Sequence, residues 1–120
     1  FRGGGDSAAV QAARSGLAAS RAQLSNTRLL VEEQVRNSWQ NLETLQAKTR
    51  LLEHQATTAA EFLGLAKKER QAGKRSLLDV LNGETNYINA VSNAVSSKID
   101  TKIAAYTLLY STGELNLNYL

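Results

Sequence analysis

What most constrains this chain is how little interrupts it. There is no Pro in 120 residues, and the helical pattern has one strong break: Gln71-Ala72-Gly73-Lys74-Arg75-Ser76-Leu77-Leu78-Asp79-Val80-Leu81-Asn82. Gly73 suits the position just past a helix end, where the backbone turns left-handed. Ser76 is a good N-cap, and Asp79, three residues on, completes a capping-box-like arrangement and meets the positive end of the next helix. Only Lys74 and Arg75 lie between. One helix stops, the chain reverses and a second begins. The fold expected is all-α: a long antiparallel helical hairpin, with one helix over about 6–72 and a shorter one over about 76–112.

At 1.5 Å per residue the first helix would span roughly 100 Å, a length typical of coiled coils rather than of globular helices. Val10, Leu17, Leu24 and Val31 recur every seven residues; Val35, Leu42, Leu45, Leu52 and Leu63 continue with a phase shift. Such a repeat keeps one seam toward a partner and drives left-handed supercoiling. Around it sit Ala8, Ala9, Ala12, Ala13, Gly16, Ala18, Ala19 and Ala22, which either admit a close neighbour or simply supply helix propensity. The second helix carries an apolar stripe of Leu77, Leu81, Ile88, Val91, Val95, Ile99 and Ile103, extended by Tyr106 and Leu109, and Gly113 is expected to end it. Residues 1–5 form a glycine-rich entry, and the alternating tail 114–120 is expected to start a strand or loop in another layer. The arms are unequal. Antiparallel pairing puts Thr112 level with the middle thirties, so residues 7–31 have a seam without a partner in this chain.

Composition excludes much. The net charge of +3 is modest, and Trp39 and four scattered Tyr do not form the clustered basic and stacking surface of a nucleic-acid binder. No apolar run approaches the ~20 residues of a membrane helix. Without Cys there is no thiol chemistry. His54 is alone, without the spacing of a metal site or a general base. Gly3-Gly4-Gly5 follows no strand–turn pattern that would make a phosphate loop. No cofactor, metal site or catalytic constellation is expected. The start at Phe1-Arg2 reads as a piece of a longer chain whose signal peptide lies elsewhere.

One polar row stands out: Asp79, Asn82, Asn86, Asn89, Asn93, Ser97 and Asp100 recur at helical spacing. Asn is a mediocre helix former, so the row asks for a cause. It is either an ordinary solvated face or the lining of a wet channel in which uncharged amides tolerate varied cargo. Asp79 has a structural role available at the helix start, and Lys74 and Arg75 can decorate an exposed turn. Trp39 falls near the level where the second arm ends, placed either to pack on Leu108, Leu109 or Tyr110 or to stand alone on a helix flank.

Taken together these residues resemble the C-terminal half of a TolC-family outer-membrane channel. Phe1-Arg2-Gly3-Gly4 looks like the family's F-x-G-G segment at the exit from the membrane barrel. Ala72-Gly73-Lys74-Arg75-Ser76-Leu77-Leu78-Asp79-Val80-Leu81 resembles its A/V-G-x-R-x-x-x-D-V-L signature, and Ser111-Thr112-Gly113-Glu114-Leu115 its closing A-x-G-x-L. The resemblance implies a homotrimeric α-helical barrel in the parent protein, continuous with strands in the outer membrane. It also implies a periplasmic adaptor and an inner-membrane transporter as partners, and no nucleic acid. The chain would comprise a barrel-exit segment (1–5), a long periplasmic helix (6–72), a tip turn (73–75, with Gly73, Lys74 and Ser76 shaping it), a returning helix (76–112) and an equatorial tail (113–120).

By the same resemblance, Arg75 matches a basic position that ties neighbouring coils shut, and Asp79 an inward carboxylate of a cation-attracting ring. Two departures weaken the pattern: Arg70 stands where Tyr often closes the network, and Asn82 replaces a second ring Asp. Asn86, Asn89, Asn93, Ser97 and Asp100 would face the lumen, and adaptor contacts are expected near Lys67 to Ser76. The run 74–86 looks closer to channels of type I protein secretion than to multidrug efflux channels. A soluble coiled-coil scaffold is the rival from another class.

Overall fold

The computed structural model describes residues 3–119, and side chains through Gly113. It is the expected hairpin, with α1 over Gly3–Gln71 and α2 over Leu77–Tyr119, in a rod measuring 108 × 21 × 13 Å. Phe1 and Arg2 of the FRGG segment lie outside the described residues.

The ends differ from expectation in informative ways. α1 begins at Gly3, and Asp6 sits inside its first turn. Nothing before Asp6 forbids helix, and an acidic residue one turn in still faces the helix's positive end. The second helix does not stop at Gly113, and no strand or loop begins there: α2 runs on to Tyr119. Glycine ends a helix by adopting positive φ, and among the described residues only Gly73 does so. Gly113 keeps helical geometry and merely weakens the helix locally.

The helices meet along one seam each, and both seams follow alternating steps of three and four. On α1 the seam consists of the buried or half-buried Val31, Val35, Ser38, Leu42, Leu45, Thr49, Leu52, Ala56, Ala59, Leu63 and Ala66. The frame extends back without a break through Leu24, Leu17 and Val10. The apparent phase shift after Val31 is therefore no shift. Leu45 and Leu52 continue the column of Val31, while Val35, Leu42 and Leu63 lie in the other column of the same heptad seam; the frame looked displaced because Ser, Thr and Ala occupy the remaining places.

On α2 the seam is Val80, Gly83, Tyr87, Ala90, Ala94, Ser97, Thr101, Ala104, Leu108 and Ser111. This corrects the expected stripe. Leu77, Leu81, Ile88, Val95, Ile99, Ile103, Tyr106 and Leu109 are 48–71 % exposed, and none of them faces α1. Small residues let the α2 backbone approach closely, so the larger Leu42, Leu45, Leu52 and Leu63 of α1 fill the space between. Near the turn Leu63, Ala66 and Val80 form the tightest cluster, with Tyr87 against it. A Cβ at Gly83 would sit 3.5 Å from Leu63 Cδ1 and from Phe62 Cε1, ordinary contact distances.

At one level hydroxyls join the two helices across the seam. Thr49 Oγ1 lies 2.7 Å from Ser97 Oγ and 2.9 Å from Thr101 Oγ1, while Thr101 Oγ1 donates to the Ser97 carbonyl at 2.9 Å. Thr49 and Ser97 are buried. Three hydroxyls joined across the seam favour one pairing register, as polar seam positions do in coiled coils. Trp39 stands on an exposed flank of α1, beside the seam position Ser38. Its indole is 54 % exposed and Nε1 donates to Glu43 Oε1 at 2.9 Å, one turn along the same helix.

Above Val31 the outcome matches the unequal arms: every residue from Gly3 to Leu30 is exposed. The packed part yields two predictions. Thr49→Val leaves the buried Ser97 hydroxyl without its cross-helix partner and should destabilise the hairpin by roughly 1–3 kcal/mol, whereas Thr49→Val with Ser97→Ala should recover most of that loss, read by urea titration. Gly83→Ala should stabilise by about 0.5–1 kcal/mol, because it restores helix propensity without a clash.

Candidate functional site

Two features carry the candidate site, the turn and the polar face of α2. The turn is built by backbone chemistry. Gly73 has φ of 73°, its N–H donates to the Arg70 carbonyl at 2.9 Å, and the Lys74 N–H reaches back to the Glu69 carbonyl at 2.8 Å. This pair of bonds is the Schellman closure, which satisfies carbonyls left open at a helix end. Ser76 Oγ accepts the Asp79 N–H at 3.2 Å and caps α2. The Asp79 carboxylate lies 3.9 Å from Arg75 Nη1, so its charge serves both the helix start and the arginine.

Arg75 is the most constrained side chain of the turn. Its Nε and Nη2 both reach Glu69 Oε2 at 2.7 Å, and its guanidinium lies 5.3 Å from the centre of the Phe62 ring. Partial burial of the Arg75 and Glu69 side chains, at 26 % and 32 % exposure, shields this pair better than a fully solvated one. Glu69 and Phe62 had no place in the sequence reading. The signal was available, since they stand seven residues apart and so line one face of the last turns of α1. Arg70 is exposed and borders a shallow depression of about 520 Å³ with Lys67, Gln71, Gly73 and Arg75. Lys74 is exposed at the apex.

The polar row resolves into a regular column. Asp79, Asn82, Asn86, Asn89, Asn93, Ser96 and Asp100 are all exposed and step by three and four, each one residue before a seam position. At about 100° per residue they form a face turned a quarter-circle from α1. Ser97 does not belong to it, being 3 % exposed and bonded to Thr49 inside the hairpin. Ser96 takes that place. Assigning the neighbour was an error of one residue, and one residue changes the face entirely.

α1 contributes to the same side of the hairpin. Asn86 shares a depression of about 370 Å³ with Gln55, Thr58, Phe62 and Gly83, and Asn93, Ser96 and Asp100 share one of about 300 Å³ with Lys48 and Leu52. The opposite side is closed by ion pairs, Lys67 to Glu84 at 3.7 Å and Glu53 to Lys98 at 3.9 Å. There Leu81, Ile88, Val91 and Val95 form a second apolar column, each one residue after a seam position. α2 therefore has three heptad columns: a small-residue seam on α1, a polar column and an apolar column.

A two-helix coil needs only one seam per helix. A helix with apolar columns on two sides is the unit of a wall of helices. The matching family model describes the outer membrane efflux proteins and covers residues 1–114, and the chain belongs to that family. This agrees with the TolC-family resemblance of its motifs. Among curated proteins it is similar to the outer membrane efflux protein BepC of Brucella suis biovar 1 (strain 1330), with 26 % identity over all 120 residues. The chain spans 26 % of that relative's length. No solved structure matches. Among the described residues no helix is long and apolar enough to cross a membrane, and no group of side chains could hold a metal ion.

The turn geometry makes its own prediction. Gly73→Ala forces a Cβ into left-handed backbone and should cost about 1–2 kcal/mol. Thermal unfolding of the two proteins followed by circular dichroism checks it.

Proposed function

We propose that this chain is the periplasmic hairpin of a TolC-like outer-membrane channel, a passive conduit opened by an inner-membrane transporter and its adaptor. The parent protein forms a homotrimer anchored in the outer membrane by barrel strands. In this reading the apolar column of α2 packs on a neighbouring hairpin, and the polar column from Asp79 to Asp100 faces the water-filled lumen. The Gly73 turn lies at the periplasmic entrance, and adaptor contacts fall near Lys67 to Ser76. The observation that carries the reading is the three-column division of α2. A soluble two-helix scaffold has no use for a second apolar column left half-exposed beside an amide-rich one.

Within the entrance, Asp79 begins the polar column and supplies a carboxylate from each protomer, while Asn82 one step along adds none. Cation attraction then rests on Asp79. Arg75, held by Glu69 and Phe62 and close to Asp79, acts as the latch that fixes the tip. Arg70 borders the same depression and supports it. The cargo class favoured by the run 74–86 is protein, by type I secretion. Efflux of small molecules is the competing reading, and the name of the Brucella relative supports it.

The test is planar-bilayer conductance of the full-length protein that contains this chain. The native protein should form a stable cation-preferring pore. Asp79→Asn should reduce that preference by at least about twofold, since three carboxylates leave one constriction, and Arg75→Ser should raise conductance. Unchanged selectivity in Asp79→Asn removes the ring assignment. Absence of any pore from folded, membrane-inserted protein returns the scaffold reading.

A further inference from the structure

Gly83 is a glycine that the α1–α2 seam does not require. Its heptad column continues as Ala90, Ser97, Ala104 and Ser111, each carrying a Cβ. A Cβ on Gly83 would meet Leu63 Cδ1 and Phe62 Cε1 at 3.5 Å and Phe62 Cδ1 at 3.7 Å, so the helices would keep their spacing. The glycine therefore weakens the helix without tightening the interface. What it leaves open lies to one side, in the depression of about 370 Å³ that it shares with Gln55, Thr58, Ala59, Phe62 and Asn86. A methyl at position 83 would stand against the edge of the Phe62 ring, where both residues line that space. The lining is uncharged: two amides, a hydroxyl, two residues of almost no bulk, and a phenylalanine that is 45 % exposed. Arg75, its charge matched by Glu69 at 2.7 Å, lies 5.3 Å from the centre of that ring and helps to fix it. One heptad further from the turn the corresponding depression, with Lys48, Leu52, Asn93 and Asp100, is smaller, about 300 Å³, and charged.

We infer that the depression at Gly83 is a binding subsite for one uncharged aromatic ring bearing a neutral polar group. Phe62 meets the ring, and Gln55, Thr58 and Asn86 meet its polar substituent. The volume lies at the lower end of small-molecule pockets and accepts a single substituted ring. An ion entering it would lose hydration and find no countercharge in the lining. A flat ring gains more than an aliphatic one, because its edge and face complement those of Phe62. The depression opens on the side of Asn86, seven residues and about 10 Å along the helix from Asp79. Its place inside a lumen rests on the function proposed above, in which three copies meet the passing cargo just beyond the entrance. The same chemistry is offered by a free aromatic molecule and by an aromatic side chain of a polypeptide in transit.

The test uses the full-length protein that contains this chain, in lipid nanodiscs, with fluorine NMR relaxation of added ligands and empty nanodiscs as the blank. 4-Fluorobenzamide should bind saturably in the roughly millimolar range open to so few atoms. 4-Fluorobenzoate, which is charged, and 4,4-difluorocyclohexanecarboxamide, which is not aromatic, should bind at least about fivefold more weakly. Gly83→Ala should weaken the benzamide at least about threefold while raising the stability of the rod, so the loss is not a loss of fold. Phe62→Leu should remove the advantage of the aromatic ligand over the cyclohexane one. An acetylated, amidated glycine tripeptide with 4-fluorophenylalanine at its centre is compared with the benzamide, and the tighter Gly83-dependent binder names the source of the ring. Binding that Gly83→Ala leaves unchanged overturns the inference. So does absence of binding, the result expected if a neighbouring helix fills the depression. Planar-bilayer conductance of the same preparations keeps the two readings apart. A cation-preferring pore without Gly83-dependent binding removes the subsite and keeps the channel; Gly83-dependent binding without a pore keeps the subsite and removes its place in a lumen.

Discussion

Everything in this hairpin depends on the close approach of α2 to α1, and small side chains permit it. Gly83, Ala90, Ala94, Ser97 and Ala104 present almost no bulk to the neighbour. Dispersion and apolar burial then come mainly from the leucines of α1, which reach across a thin gap instead of interlocking with equals. A seam of this kind leaves the large residues of α2 free for other surfaces. It has a weakness too, since small residues at regular intervals specify register poorly. The hydroxyl group of three at Thr49, Ser97 and Thr101, together with the ion pairs Lys67–Glu84 and Glu53–Lys98 on one flank, supplies what shape does not.

The turn and the seam are coupled through a few side chains. Phe62 lies beside the seam, touches the space above Gly83 and stacks under the Arg75 guanidinium, which Glu69 holds from the preceding turn. The apex is therefore connected to the packed rod instead of hanging from it. Under the proposed function this connection would tie the entrance to the rod through Arg75 and Phe62.

Much of this was legible in the residues. Gly73 and Ser76 give the turn because each solves a local backbone problem that few residues can solve. The heptads give the hairpin, and the unequal arms give the bare half of α1. The stripe of α2 failed because ranking by hydrophobicity finds its largest residues, and the intimate contact is made by its smallest. The same shift by one residue put Ser97 in the polar column in place of Ser96. Gly113 misled because a glycine is a helix stop only when it takes positive φ, a choice that surroundings make. Arg75 was singled out, but its partners Glu69 and Phe62 were not, because they lie across the break that made the turn visible.

The proportions of the rod carry a mechanical consequence. A body 108 Å long and 13–21 Å across is a lever, and the Gly73 turn sits at its end. Tilting such a beam by a few degrees about its far half displaces the apex by several ångströms, more than enough to part a 2.7 Å ion pair made to anything that stays still. Because Arg75 is bound to Glu69 of its own hairpin, it rides with the beam. A device at the apex built this way amplifies a small rotation into a wide excursion while its own parts remain assembled.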